Sequence, residues 1–156
     1  KDYRGFLEGR IPEAFTPGPI IDSSGRRLGE HTGIAAYTVG QRRGIRVSAP
    51  DPLYVIGIDT LSNTVTVGAR KEAASRSLIA GDVSWISGNP PAGDIRAQVK
   101  TRYRMAAVSA TVKVLPGDHI RVDFDTPAWA VAPGQAAVVY DGDEVLGGGT
   151  IIGSER

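Results

Sequence analysis

The densest group of chemistry-bearing side chains in this sequence lies in the run HTGIAAYTVGQRRG, from His31 to Gly44. A polar turn, His31-Thr32-Gly33, leads into Ile34–Tyr37, and a second turn follows at Gly40. Gln41, Arg42 and Arg43 then stand between Gly40 and Gly44. Glycine accepts positive φ and lets a second backbone come close, so this spacing predicts a tight loop displaying one planar amide and two guanidiniums. Such a loop suits a polyanion. A solvated hairpin loop accounts for the same residues.

A second group follows a strand period. From Ile95 the odd positions are Ile95, Ala97, Val99, Thr101 and Tyr103, and the even ones Arg96, Gln98, Lys100, Arg102 and Arg104. Side chains alternate across a strand, which puts four cations and an amide on one face, with same-face neighbours roughly 6.6 Å apart. Cations that close repel unless an anion or acidic neighbours lie beside them. Asp123 and Asp125, on one face of a His119–Asp125 strand, are the acidic neighbours available for the upper part of the stripe. Lys100, Arg102 and Arg104 lie towards the strand end, where a ligand can reach.

Three smaller features complete the inventory. Ala132-Pro133-Gly134-Gln135 reads as a turn aiming Gln135 outward, and a plain loop is its bland alternative. Gly147-Gly148-Gly149 interrupts a strand, which signals a bulge or the close approach of another backbone. No Lys-Ser/Thr pair follows it, so it is neither a Walker loop nor a dinucleotide fingerprint. Asp141, Asp143 and Glu144 lack calcium-loop spacing and read as a hairpin tip.

There is no cysteine, which excludes a disulfide scaffold, a thiolate zinc site and a cysteine nucleophile within this chain. Two histidines far apart in sequence, His31 and His119, make a poor metal set. Neither a catalytic nor a metal-ligating residue is therefore assigned.

These groups need elements to position them. Twenty glycines and ten prolines in 156 residues disfavour long helices and favour short strands joined by turns. The expected fold is all-β: a small β domain with a short helix over Lys1–Ile11, then a six-stranded barrel. Strands are expected at Pro19–Asp22, Leu53–Asp59 and Thr64–Gly68, with a turn at Leu61-Ser62-Asn63. The barrel strands are expected at 82–86, 95–103, 110–115, 119–124, 136–140 and 145–152. Arg70–Ile79, polar and without β pattern, is the expected boundary, giving domains 1–75 and 76–156. Net charge is only +1, but most of the 18 basic residues are arginine, the side chain that grips phosphate bidentately. No apolar run approaches the ~20 residues of a membrane span, and no membrane partner is expected. The first residue is Lys1, and the chain reads as a piece of a longer protein.

Taken in order, the motifs DYRGFL (2–7), GEHTG (29–33), YTVGQRRG (37–44), LYVIGID (53–59), RYR (102–104), APGQAAVVYDGD (132–143) and LGGGTI (146–151) resemble the bacterial-type tRNA-specific 2-thiouridylases, the MnmA family. The resemblance covers nearly the whole chain. It implies a cytoplasmic transferase whose N-terminal domain uses ATP with Mg, and two cysteines, to replace O2 of the wobble uridine with sulfur through a cysteine persulfide. Neither of those cysteines nor a nucleotide loop is in this chain, which looks like the central domain and C-terminal barrel alone. It implies tRNA, through its anticodon arm, and a sulfur-carrier protein as partners. The family's tRNA contacts fall on Arg102, Tyr103 and Gln135, and the basic stripe adds Lys100 and Arg104. Gln41, Arg42 and Arg43 would face either tRNA or the catalytic domain. On this reading the chain positions tRNA and is itself inactive.

Departures are local: Arg46-Val47-Ser48-Ala49 replaces a glycine-rich turn, Leu53 a common tryptophan and Ala132 a common threonine. Two other readings compete. One is an autonomous, non-enzymatic β-barrel module of the translation-factor type, which leaves the GQRRG loop unexplained. The other is a small hydrolase using His31 and His119, for which no nucleophile–base–orienter trio is visible.

Overall fold

A computed structural model describes residues 12–156, and they form an all-β chain with three short 3-10 turns. The helix expected over Lys1–Ile11 lies outside the described residues. The chain divides into two compact units between Ala73 and Ala74. No helix among the described residues is long and apolar enough to cross a membrane.

In the first unit, β1 (Gly18–Asp22), β2 (Arg27–His31), β3 (Tyr54–Asp59) and β4 (Thr64–Gly68) form one sheet in the order β2-β1-β4-β3. The β1–β2 and β3–β4 hairpins are antiparallel, but β1 runs parallel to β4. Hairpin signals alone do not announce that parallel pairing. β2 also escapes the sequence reading, because its residues RLGEH offer a short, half-exposed pattern. Ile20, Ile45, Val55, Val65 and Val67 form the core. Ile20 of β1, Val55 of β3 and the alternate positions Val65 and Val67 of β4 supply it, with Ile45 from the loop between β2 and β3.

The second unit is a closed six-stranded barrel in the order β10-β5-β8-β7-β6-β9, antiparallel throughout. Its strands are β5 (Ala74–Trp85), β6 (Ile95–Lys100), β7 (Val108–Leu115), β8 (His119–Trp129), β9 (Ala136–Asp141) and β10 (Glu144–Glu155). Inward residues alternate along each strand: Ala97 and Val99 on β6, Ala110 and Val112 on β7, Ile120 and Val122 on β8, Ala137 and Val139 on β9. Closure leaves no unpaired edge.

Most of Arg70–Ile79, expected to carry no β pattern, is strand. Residues from Ala74 onward are the first half of β5, the barrel's opening strand. The interval hides its pattern because two buried positions are hydroxyls: Ser75 and Ser77 are 3% and 4% exposed. Ser75 hydrogen-bonds Ser154, and Ser77 donates to Glu155. The strand then bends at Asp82, whose φ of 52° is left-handed, and this break separates two halves that the sequence shows as unrelated.

The glycine run sits where β10 is crowded. A Cβ at Gly147, Gly148 or Gly149 would lie 2.5, 2.7 and 2.5 Å from the carbonyl oxygens of Ser84, Ala137 and Gly81. Both expectations for this run are met, since register shifts also mark bulges beside it.

Candidate nucleic-acid interface

β6 ends at Lys100, so the alternation expected to carry on through Tyr103 and Arg104 stops there. Residues 101–105 instead form a turn, closed by the Met105 N–H donating to the Arg102 carbonyl at 3.2 Å. The turn changes what each side chain does. Thr101 is buried and Tyr103 is 92% exposed rather than set into a barrel rim. Arg102 leaves the basic face: its Nε donates to the Ala130 carbonyl at 3.0 Å, and its guanidinium carbon lies 5.7 Å from the centre of the Trp129 ring. Burial pushes the Arg102 pKa down. Arg104 is exposed.

The upper stripe is neutralised within the barrel. Arg96 makes a two-pronged pair with Asp125 at 2.5 and 2.9 Å and also donates to Thr111. Asp123 accepts from Arg121 at 2.8 Å and pairs with Lys113 at 2.9 Å. Hydrogen bonds from Arg96 hold the Asp125 carboxyl below its usual range. Lys100 keeps clear of these acids and stands 5.8 Å over the Tyr103 ring.

Opposite the 101–105 turn lies the Ala132–Gln135 turn, pinned to β10 by Gly134 N–H to Ile151 O and Ile151 N–H to Gln135 O, both 2.8 Å. Gly134, at φ 82°, takes the left-handed corner that the turn needs. Gln135 is half-buried rather than aimed into open solvent, and its Oε1 is buried without a hydrogen-bond partner. Between the two turns runs a cleft of about 730 Å³ lined by Lys100, Thr101, Arg102, Tyr103, Arg104, Gln135, Ala136, Val138 and Tyr140. All five residues singled out in this unit therefore meet at one place. The sequence reading missed the floor. Val138 and Tyr140 project outward, alternating with the inward Ala137 and Val139, and β6–β9 pairing sets Lys100 beside Val138 and Gln98 beside Tyr140. The signal was the period of two in β9.

In the first unit the GQRRG loop is braced by the residue expected to be displayed. Gln41 Oε1 accepts from Thr38 N–H at 3.1 Å, and its Nε2 donates to the Arg43 carbonyl at 2.8 Å. The loop is stitched to β3 by Gly40 N–H to Val55 O and Val55 N–H to Gln41 O. Gly40 and Gly44 both have positive φ, 86° and 80°. Arg42 and Arg43 remain exposed.

His31, 1% exposed, is a packing residue: Nδ1 accepts from Gly33 N–H at 3.0 Å, so Nε2 carries the proton donated to Asn63 O at 2.9 Å. His119 belongs to the other unit and contacts the Gly117 carbonyl. No cluster of three metal-ligating side chains occurs among the described residues. Nor does the glycine run cradle phosphate, since its Cα positions are packed against barrel carbonyls.

Comparison with known proteins agrees with this division. A family model described as the tRNA methyl transferase PRC-barrel domain matches residues 4–69, and one described as the aminomethyltransferase beta-barrel domain matches residues 75–151. The tRNA-specific 2-thiouridylase MnmA of Microcystis aeruginosa is 45% identical over 97% of this chain, and that of a Synechococcus strain 48% identical over 98%. The same protein of Symbiobacterium thermophilum is 43% identical over 96%. The chain spans 42% of the length of the first two relatives and 38% of the third. With both family models matched in order across nearly all of its length, the chain belongs to the tRNA-specific 2-thiouridylase (MnmA) family, of which it represents the central and C-terminal β-barrel domains.

Proposed function

We propose that this chain is the tRNA-positioning part of a tRNA-uridine 2-sulfurtransferase. The observation that carries the reading is the cleft that gathers Lys100 from the end of β6 and Arg102, Tyr103, Arg104 and Gln135 from two separate turns. Lys100 and Arg104 supply the salt-sensitive, sequence-independent attraction to phosphate. Tyr103, almost wholly exposed, offers a flat ring on which an unpaired base or a ribose packs. Gln135, half-buried in the cleft lining, offers a side-chain amide for a directed hydrogen bond to a base edge or a 2′-hydroxyl. Single-stranded anticodon loops present such groups, and base chemistry there needs the target nucleotide extruded from its stack.

On this reading ATP activation, magnesium and the persulfide belong to other parts of the enzyme, in the cytoplasm, with a sulfur-carrier protein as donor. This chain, which has no cysteine, transfers no sulfur itself. The test is a titration of tRNA against Tyr103→Ala and Arg104→Ala at several salt concentrations. Arg104→Ala should reduce the magnitude of the log–log salt slope by about 0.7–0.9, one phosphate contact. Tyr103→Ala should weaken binding by about 1–3 kcal/mol, the worth of one base stack, with little change in slope. Wild-type affinity and slope in both variants would remove the cleft from consideration.

A further inference from the structure

The two turns that bound the cleft come from distant parts of the chain, and one side chain joins them. From the 101–105 turn, Arg102 reaches the carbonyl of Ala130 at 3.0 Å and lies over the ring of Trp129. Ala130 is fully buried and left-handed, with φ 55°, at the corner where β8 gives way to the segment leading into Ala132–Gln135. A non-glycine residue in that conformation is costly and persists only where its surroundings hold it. The carbonyl that Arg102 binds is the one at this corner. Beyond it, Ala132 O accepts from Gln135 N–H and closes the second turn.

We infer that Arg102 is a positioning residue, a strut fixing the Tyr103–Arg104 jaw to the Gln135 jaw, and that the separate phosphate contacts are made by Lys100 and Arg104. This rests on the reading of the cleft as the tRNA site. Three observations distinguish Arg102 from its neighbours. Its Nε is already committed to a main-chain acceptor, its guanidinium carbon lies over the Trp129 ring at 5.7 Å from the centre, and it is half-buried where Arg104 is exposed. An arginine suits such a role because its fork holds direction and its plane stacks, neither of which an ammonium reproduces. A preformed cleft binds more tightly because the two jaws need not be ordered when RNA arrives.

The experiment compares wild type with Arg102→Gln and Arg102→Lys by amide hydrogen exchange without RNA and by tRNA titration over a salt series. The strut predicts faster exchange in both 103–105 and 134–135 in each variant, with β6 and β7 unchanged. It also predicts roughly three- to tenfold weaker binding, the ordering cost of one or two side chains, at every salt concentration and with the slope preserved. Unchanged exchange in 134–135, or a slope smaller by about 0.7–0.9 with exchange unchanged, would make Arg102 an ordinary phosphate contact and overturn the inference. Lost protection in β6 and β7 as well would assign Arg102 to barrel stability and overturn it too. The exchange result stands without RNA. Failure of the cleft reading is seen separately, as wild-type tRNA binding by Tyr103→Ala and Arg104→Ala.

Discussion

At the scale of single residues, several conspicuous side chains turn out to be structural. His31 opens the motif that looked most chemical, yet both ring nitrogens are consumed by Gly33 N–H and Asn63 O. The corner around it is tight: a Cβ on Gly18 would sit 2.2 Å from the Asn63 carbonyl oxygen and 2.8 Å from His31 Nε2. Gly18→Ala should therefore cost about 1–3 kcal/mol, as overpacking does, read as a lower midpoint in chemical denaturation. An unchanged midpoint would show that the corner yields. Asp22 carries the other residue-scale prediction. Its carboxylate accepts from the Ser24 hydroxyl at 2.6 Å, from Ser24 and Arg26 N–H at 3.0 Å each and from Arg26 Nε at 3.1 Å. These bonds, the Ser24 hydroxyl foremost, lower its pKa to about 2. The folded value lies below the unfolded one, so the contribution is complete above about pH 4 and fades as pH falls towards 2. Asp22→Asn keeps an acceptor but cannot titrate, and should flatten the stability–pH curve between those limits. Curves of equal steepness for the two proteins would contradict this.

At the scale of elements, strands with apolar inward faces were legible, and the stretch whose buried positions include hydroxyls was not. Ile95–Val99 announced itself through strict alternation, whereas Ala74–Ile79 hid behind buried serines that bond Ser154 and Glu155 of β10. The end of β6 was misplaced for a related reason. The sequence alternation runs on to Arg104, but the chain turns at Thr101, and no period-two pattern records where a strand stops. The five cleft residues were legible by type. Their grouping was not, because it depends on the Arg102–Ala130 contact and on the β6–β9 register, both long-range. The glycine run makes an element-scale prediction. A Cβ at Gly149 would lie 2.5 Å from Gly81 O and 2.8 Å from a Val83 methyl. Gly149→Ala should separate β10 from β5 locally, seen as raised exchange of the amides paired between them. It should cost about 1–3 kcal/mol or more, because the obstacle is backbone. Wild-type protection along β5 and β10 would refute the close-packing account.

At the scale of the molecule, two compact units each build their own core, and the barrel carries the cleft on its outer wall. Net charge of +1 gave no hint of a nucleic-acid partner. The local arrangement does, since Arg96, Lys113 and Arg121 are tied to carboxylates while Lys100 and Arg104 border the cleft. The most direct test of the central claim is an NMR titration of the isotope-labelled 16.4 kDa chain with an anticodon stem–loop RNA. The account predicts that perturbed amides cluster at Lys100–Arg104 and Gly134–Tyr140, and that raising salt reverses the shifts. Perturbations confined to Arg42–Arg46, or spread without focus over the barrel, would contradict it.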